Sequence, residues 1–312
     1  MRYLRVVGRR LIQAVPSLFG VIVVTFLLLH LLPGDPARSV VGTRATPEVL
    51  ALVRTRLGIT EPLWYQFWLY MKELARGDLG TSFVLNVPVS QLIIARLPAT
   101  LLLVFYAGVL AVVVGMPLAL YTALRHSKLD DVGVRVFLVI GLAVPGFWLG
   151  VLLVAWVALK TGWFPSGGYG VGFIGHIHSL FLPALTLALS FLAVFVRNLR
   201  ASLIEVLAAD YIALARLKGI SSTQLVVRHV LRNGLGPALT ILGLNLSYLL
   251  GASVIVESVF AVNGVGNTLI SAILARDYLL VQGITVVFGV LVIGITLLVD
   301  LGRAALDPRE SR

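Results

Sequence analysis

The chain alternates long apolar runs with polar segments, and the runs have the length of membrane spans. About 20 predominantly apolar residues cross the hydrocarbon core of a bilayer as a helix. The predicted spans are residues 11–32, 97–122, 136–159, 180–196, 235–256 and 278–299. The polar segments are residues 1–10, 33–96, 123–135, 160–179, 197–234, 257–277 and 300–312. The pattern predicts an all-α polytopic membrane protein with six transmembrane helices and one transmembrane domain over about residues 95–300.

The first apolar run, Leu11–Leu32, is 22 residues long and carries no charge. A cleaved signal peptide has an apolar region of about 7–15 residues that ends in a small-residue cleavage site. This run is longer, and it is followed by Pro33-Gly34-Asp35-Pro36. We therefore interpret it as a first span rather than a cleaved signal.

The basic residues predict the orientation of the spans. Of the 25 Lys and Arg, 16 lie in segments 1–10, 123–135, 197–234 and 300–312. Seven of the other nine lie in segment 33–96, where loop length weakens the charge bias. Because Lys and Arg accumulate on the cytoplasmic side, we predict that both termini are cytoplasmic and that segments 33–96, 160–179 and 257–277 are extracytoplasmic.

The first outer segment, residues 33–96, contains two predicted short helices. Thr46-Pro47-Glu48 has the residue types of a helix start, and Gly58 would end that helix. A second helix is predicted from Pro62 to Arg76, with a stop at Gly77. Its aromatic residues favour either the membrane–water interface or a small core under the loop, and these alternatives stay open: Trp64, Tyr65, Phe67, Trp68 and Tyr70.

The composition supports the interpretation as a membrane protein and excludes several classes of function. Hydrophobic residues make up 59% of the chain and charged residues 12%, against about 25% charged residues in soluble domains. The net charge of +11 does not indicate nucleic-acid binding, because the basic residues flank apolar runs instead of forming a patch with aromatics. Attraction to anionic membrane lipid explains the basic residues better. The chain has no cysteine, so it has no disulfide or thiol chemistry.

Catalytic and metal-binding patterns are missing from the sequence. No phosphate-binding Gly-x-x-x-x-Gly-Lys-Ser/Thr motif occurs, so ATP hydrolysis by that route is excluded. No span centre carries a carboxylate, Lys or Arg, which argues against an ion-coupled carrier and a membrane hydrolase. His176 and His178 could share a metal, but no third ligand is spaced nearby, and ordinary loop histidines are the better interpretation. A passive channel and a subunit driven by partners remain.

The basic loop, residues 197–234, separates these alternatives. Its segment from about Ala208 to Lys218 is rich in helix formers, and Gly219 stands where a helix would stop. Two roles are open for this helix: docking to a partner, or resting on anionic lipid with Arg216 and Lys218 at the headgroups.

Short motifs along nearly the whole chain resemble the dipeptide/oligopeptide/nickel permease family of ABC importers. They are Leu31–Pro36, Leu57-Gly58 with Pro62-Leu63, Arg76–Ser82, Arg96–Thr100, Asp210–Ile212, Ala215–Gly219, Arg228-His229, Arg232-Asn233, Val256–Phe260, Gly264–Gly266, Arg276–Tyr278 and Leu306–Arg309. Each motif is weak alone, but this order is specific. The long outer segment after the first span resembles the first of the two paired permeases.

The resemblance implies a type I, MetI-like permease fold in the inner (cytoplasmic) membrane. It implies that the chain and a second homologous permease form a passage for di- or oligopeptides, with nickel or another small solute as an alternative. Two ATP-binding subunits would bind ATP and Mg²⁺, so this chain would hold no cofactor. An extracytoplasmic peptide-binding protein would deliver the substrate.

The resemblance also implies a coupling helix at about 208–219 that docks on an ATPase. The family pattern has Glu-Ala-Ala, three residues and then Gly. Here the triplet is Ala213-Leu214-Ala215, so the glutamate is missing, and the stretch from Gly219 to Pro237 is longer than the pattern allows. The expected coupling residues are Asp210, Tyr211, Ala213, Leu214, Ala215, Arg216, Leu217, Lys218 and Gly219.

Proline residues in the spans are candidate bending points for alternating access. Pro145-Gly146 is expected to kink the third span, Pro183 lies inside the fourth span, and Pro237 lies at the entry of the fifth. Kinks without any gating role are equally common in helices, and both interpretations stay open.

Overall fold

The computed structural model describes residues 2–31, 36–41, 45–56, 58–124, 132–133, 136, 141 and 143–306. Within these ranges the regular elements are helices, apart from one bridge between Thr81 and Pro88. The N-terminal helices are α1 (Arg2–Leu31), α2 (Pro36–Val41), α3 (Pro47–Arg56), α4 (Leu63–Ala75) and α5 (Val89–Leu124). The later ones are α6 (Gly146–Leu153), α7 (Leu159–Thr161), α8 (Gly172–Leu207), α9 (Asp210–Leu217), α10 (Ser222–Leu225), α11 (Arg232–Val259), α12 (Val265–Ala275) and α13 (Tyr278–Leu306). Two π-helical segments, Val154–Ala158 and Val226–Leu231, join α6 to α7 and α10 to α11.

Several helices have the length and apolarity to cross a membrane. Four described stretches meet both criteria: Val89–Leu124, Gly172–Leu207, Ile241–Val259 and Tyr278–Gly302. Shorter apolar helical stretches are Ile12–Leu28, Gly146–Thr161 and Val265–Ala275. The predicted cytoplasmic segment 123–135, the start of the predicted third span and the tail after residue 306 lie largely outside the described residues.

The chain divides into two compact units. The first comprises Met1–Arg9, Leu101–Val262 and Gly294–Arg312, and the second comprises Arg10–Thr100 and Asn263–Ile293. The division falls inside α5, which is continuous from Val89 to Leu124.

The first unit is built around α8, which packs against α6 and α11. Phe191, Phe195 and Leu199 are among the fully buried side chains of α8. Small residues let neighbouring helices approach it closely: a Cβ at Gly115 of α5 would lie 2.6 Å from the Phe195 ring. Close backbone approach of this kind stabilises helix pairs in membranes, where burial of apolar surface gives little driving force.

The second unit has two apolar clusters. The larger one joins the N-terminal part of α5 to α12 and α13 through Val89, Ile93, Val265 and Ile284. In the smaller one, Tyr70 and Phe67 of α4 pack against Ile22 and Phe26 of α1, and Val286.

The face of α4 that carries Tyr70 and Phe67 belongs to a core, while its other aromatics are exposed. Trp64 is 72% exposed and Trp68 is 62% exposed. One face of α4 therefore belongs to a small core, as one of the two alternatives predicts, and the other face is exposed. An exposed tryptophan pair next to an apolar cluster is typical of a membrane–water interface.

The ends of α3 and α4 carry local capping features. The Thr46 hydroxyl accepts a hydrogen bond from the amide of Val49, and Glu48 lies in the first turn of α3. A hydrogen bond with the Thr46 side chain, followed by one with the backbone of Glu48 itself, lowers the pKa of the Glu48 carboxyl. Gly77, just after α4, has φ +77°, a conformation that glycine adopts without strain.

The helix ends differ from the predicted span ends. α8 spans 36 residues, or about 54 Å at 1.5 Å per residue, and extends beyond residues 180–196 in both directions. Pro183 lies inside α8, and Pro237 lies inside α11. At Pro145 the helical backbone is interrupted instead of kinked, because Val144 is a bend and Pro145 has ψ 132°. A proline disfavours helical geometry in the residue before it, so a new helix begins at Gly146.

Candidate functional site

Helix α9, in the basic loop, is a short helix with well-defined ends. Asp210 lies in its first turn, where an acid interacts favourably with the helix dipole. At its end, the amide of Gly219 donates to the carbonyl of Arg216 (3.0 Å), and the amide of Ile220 donates to the carbonyl of Ala215 (3.3 Å). This pair of bonds is a Schellman motif, and it requires the left-handed conformation of Gly219 at φ +77°.

The two faces of α9 differ in exposure. Ile212 and Ala215 are buried against the first unit, at 0% and 7% exposure. Leu214 and Leu217 lie on the opposite face and are 57% and 84% exposed, and Tyr211 at the flank is 43% exposed. The remaining expected coupling residues, Asp210, Ala213, Arg216, Lys218 and Gly219, are all exposed. The helix therefore presents leucine side chains between an acidic start and a basic end.

The segment after α9 holds this helix to the rest of the unit. The Ser221 side chain caps α10 by accepting a hydrogen bond from the amide of Gln224. Leu225 and Val230 are buried, and the π segment Val226–Leu231 contacts α8 and α11. The extra length between Gly219 and Pro237 that separates this chain from the general pattern is thus helical structure.

The two outer histidines are hydrogen-bonded to backbone carbonyls. The Nδ1 of His176 lies 2.8 Å from the carbonyl oxygen of Tyr169, and the Nε2 of His178 lies 2.8 Å from that of Trp163. A ring nitrogen that faces a carbonyl carries the proton, so the other nitrogen of each ring is the one that could bind a metal. Within the described residues, no group of three or more His, Cys, Asp and Glu side chains is placed to hold a metal ion.

A cleft in the first unit was missed by sequence reasoning. It has a volume of about 410 Å³ and lies between the start of α6, the middle of α8 and the C-terminal half of α11. Its lining includes Gly146, Ser190, Ser247, Tyr248 and Gly251, all of them uncharged. Uncharged polar residues scattered over three spans have no recognisable spacing, so no sequence pattern could have found this cleft. The candidate bending point Pro145-Gly146 adjoins the cleft through Gly146.

A buried carboxylate in the second unit was also missed. Asp277 is 1% exposed and precedes α13. It accepts hydrogen bonds from the Ser82 hydroxyl and from the amides of Phe83 and Val84, at 3.3 Å each. It thus joins the start of α13 to the outer segment 33–96. Ser82 lies in the motif Arg76–Ser82, and Asp277 lies in the motif Arg276–Tyr278. Their place in these motifs was the signal that the sequence offered.

Comparison with known proteins identifies the family. Residues 115–312 match the binding-protein-dependent transport system inner membrane component, and residues 3–104 match the N-terminal family of such membrane components. A protein of Brucella suis biovar 1 (strain 1330), provisionally named a peptide transport system permease, is 40% identical over 305 residues, covering 96% of this chain and 97% of the relative. The glutathione transport system permease protein GsiC of Escherichia coli (strain K12) is 39% identical over 305 residues, covering 98% of each chain.

Two solved structures share the fold at low sequence identity. The MetNI methionine ABC transporter in inward-facing conformations gives a TM-score of 0.54 at 20% identity, covering 70% of this chain and 97% of that chain. An amino acid ABC transporter solved with histidines gives a TM-score of 0.53 at 19% identity, covering 69% of this chain and 94% of that chain. The predicted all-α, MetI-like permease fold and the location in the cell membrane are confirmed. The chain therefore belongs to the family of binding-protein-dependent transport system inner membrane components, as a multi-pass permease of an ABC importer of the dipeptide and oligopeptide type.

Proposed function

We propose that this chain pairs with a second homologous permease and that the two form the translocation passage of an ATP-driven importer of di- or oligopeptides. Two ATP-binding subunits bind ATP and Mg²⁺, and an extracytoplasmic binding protein delivers the peptide. The chain itself needs no ATPase site or cofactor. The names of the relatives, which mention peptides and glutathione, support a short peptide as the substrate.

The observation that carries this proposal is the exposed face of α9. Leu214 and Leu217 are more than half exposed on a helix that is anchored by Ile212 and Ala215 and has a fixed C-terminal end. A leucine pair held rigidly in water is costly for an isolated chain, and it is suited to fill a groove on a partner. The α9 helix then acts as the coupling helix, and Arg216 and Lys218 add basic contacts at its end.

Six spans with both termini in the cytoplasm complete the proposal. They place α9 on the side where ATP is available, and they agree with the distribution of Lys and Arg. The spans carry no charge at their centres, which supports a low-affinity passage whose selectivity lies mostly in the binding protein.

The first test is co-purification in mild detergent followed by an ATPase assay with and without binding protein and peptide. We expect a second permease and P-loop ATPases to accompany this chain and peptide to raise ATP turnover. A chain that purifies alone, without ATPase activity, would remove the motor-driven importer and favour a passive channel.

Substitutions in α9 test its coupling role. We expect Leu214→Asp combined with Gly219→Asp to abolish peptide-stimulated ATP turnover, because a charge enters the docking face and the helix end is strained. Val171→Asp is a matched control, since Val171 is 94% exposed but lies in the predicted outer segment 160–179. Intact coupling in the double variant would contradict the assignment of α9.

A further inference from the structure

A pocket with aromatic walls lies in the first unit, between α5 and the start of α8. It has a volume of about 300 Å³. Its lining comprises one residue of α5, one of the loop before α8, and five of α8: Tyr106, Phe164, Phe173, Ile174, Ile177, His178 and Phe181. The Phe181 ring stacks on Phe164 at 4.7 Å between centroids and lies 6.4 Å from the Tyr106 ring. Ring contacts therefore hold the walls in place.

The lining offers few hydrogen-bonding groups to an occupant. Five of its seven side chains are hydrocarbon, the exceptions being Tyr106 and His178. The His178 ring directs its Nε2 at the carbonyl oxygen of Trp163, 2.8 Å away. A peptide in this pocket would leave most of its backbone amides and carbonyls without partners, which is unfavourable. A hydrocarbon chain needs no such partners, so the pocket favours an apolar occupant.

The loop before α8 places one end of the pocket at the membrane surface. Residues 162–171 are not helical, and Gly162, Ser166 and Gly170 are exposed. Irregular backbone does not occur in contact with lipid inside the hydrocarbon layer, because its amides and carbonyls need partners. The loop therefore lies at the level of the headgroups. Phe181 follows Phe173 by eight residues, about 12 Å along α8, so the pocket runs from this level into the apolar layer.

A single cation stands close to the pocket. Lys160 is the only Lys or Arg of segment 160–179, which contains no Asp or Glu. Its Nζ lies 3.3 Å from the centroid of the Trp156 ring, in a cation–π contact. The Cα atoms of Lys160 and Phe164 are four residues apart along the chain, which is at most about 14 Å. A phosphate group is complementary to this lysine, and no carboxylate of the segment competes with it.

The surface around the pocket is apolar as well. Trp163 is 73% exposed, and Ile174 is 83% exposed. Large apolar side chains with this exposure are unfavourable in water, whereas tryptophan is typical of the membrane–water interface. The exposed side chains and the lysine together match the two parts of a phospholipid.

We propose that this pocket binds one phospholipid, with an acyl chain between α5 and α8 and the phosphate at Lys160. The rings of Tyr106, Phe164 and Phe181 contact the chain. The lipid fills the gap between the two helices and completes the packing of the outer segment. A concave wall and a charge hold this molecule, in contrast to the lipid that exchanges over the rest of the apolar surface. The inference does not depend on which solute the importer carries.

The test uses the complete importer in phosphatidylcholine nanodiscs that contain a small share of phosphatidylglycerol with a photoactivatable diazirine in one acyl chain. We expect mass spectrometry to find the adducts concentrated on the lining residues. Ile177→Trp fills the pocket and should lower this capture at least fivefold. Ile94→Trp is the control, because Ile94 of α5 is 70% exposed and does not line the pocket, and it should leave the capture unchanged.

A second variant tests the headgroup contact. Lys160→Gln should lower capture at the pocket by about fivefold, the effect of one lysine close to an anionic lipid. Lys72→Gln, at an exposed lysine of α4, is the matched control and should have no effect there. If Ile177→Trp prevents assembly, Lys160→Gln decides alone, since Lys160 is exposed.

Two results would overturn the inference. Adducts spread evenly over the apolar helices, and unchanged in both variants, would mean that only exchanging lipid is present. A pocket without lipid adducts in the complete importer would mean that a segment of the second permease or of the binding protein fills it.

Discussion

At the scale of single residues, Asp277 is a buried carboxylate held by several hydrogen-bond donors of the second unit. Its carboxylate is buried, and it is shared by the Ser82 hydroxyl and the amides of Phe83 and Val84, while the amide of Leu280 lies 3.4 Å away. A carboxylate at 1% exposure is stable only where donors replace the lost water. The residue therefore fixes the outer segment against the first turn of α13.

We expect Asp277→Asn to lower the free energy of unfolding by about 2–4 kcal/mol, because hydrogen bonds to a charged group are replaced and an amide hydrogen faces donors. Thermal unfolding in detergent measures the effect. The control is Asp78→Asn, since Asp78 is exposed and accepts one amide hydrogen bond, from Gly80 at 2.8 Å. Equal losses in both variants would show that the Asp277 network is not special.

Tyr70 is the opposite case, because its buried hydroxyl forms no hydrogen bond with its described surroundings. Its hydroxyl has no hydrogen-bond partner among the described residues, and burial raises the pKa of Tyr70 to about 12. Tyr70→Phe should therefore keep the stability or raise it by up to about 1 kcal/mol, whereas Tyr70→Ala should cost about 3–5 kcal/mol by emptying the cluster with Phe26. Thermal unfolding at pH 7 compares the three proteins.

The same side chain predicts an alkaline pH dependence. The folded state keeps the phenol neutral up to its pKa of about 12, and the unfolded chain ionises it near its ordinary pKa of 10.0. The stabilising contribution is complete below pH 10 and is lost as the pH rises through 12. Tyr70→Phe should show a smaller loss of stability over this range, and identical pH profiles would contradict the burial of the hydroxyl.

Residue-level features were the hardest to predict from the sequence. Ser82 and Asp277 are 195 positions apart, and nothing local to either indicates the other. Ser247 looks like an ordinary small residue in a span until α6 and α8 are placed beside it. By contrast, Gly219 was predictable, since a helix end is determined by a few consecutive residues.

At the scale of elements, α9 shows how much of a helix can be predicted from its local sequence. The stretch Ala208–Lys218 predicts a helix, and the structure has one from Asp210 to Leu217. α8 was harder, because hydropathy marks only the most apolar part of the helix. The residues on either side of 180–196 continue the helix, since they bury Ser179, Leu199 and Leu203 in the first unit.

The end of α9 gives a prediction of its own. Gly219→Ala places a Cβ at φ +77°, which costs about 1 kcal/mol and favours fraying of the last turn. Since Leu217 lies in that turn, we expect peptide-stimulated ATP turnover to fall by about fivefold, the rate equivalent of that strain. Gly294→Ala, in the interior of α13, is the control and should be neutral or slightly stabilising. Unchanged turnover in Gly219→Ala would mean that docking does not need the ordered helix end.

At the scale of the whole molecule, the order of apolar runs was sufficient to predict an all-α polytopic membrane protein, and the resemblance of the short motifs added the permease fold. The number of crossings is a separate matter, because length and composition qualify four described helices and leave α1, α6 and α12 as shorter apolar stretches. The distribution of Lys and Arg then distinguishes a helix that crosses the membrane from one that stays on one side. Segment 257–277 contains α12 but only one basic residue, Arg276, whereas segment 197–234 has six Lys and Arg. This asymmetry favours a re-entrant or surface position for α12 on the outer side over a seventh crossing.

The absence of cysteine makes this topology directly measurable. Single replacements Ser166→Cys and Lys218→Cys introduce one thiol each at exposed positions in the predicted outer and cytoplasmic segments. In intact cells, a membrane-impermeant maleimide should label position 166 and spare position 218, and inside-out vesicles should reverse the result. Asn263→Cys, before α12, and Ser271→Cys, within it, should both follow position 166, because both are exposed on the predicted outer side. If position 218 were labelled from outside, α9 would face away from cytoplasmic ATPases and the coupling role would fall with the topology.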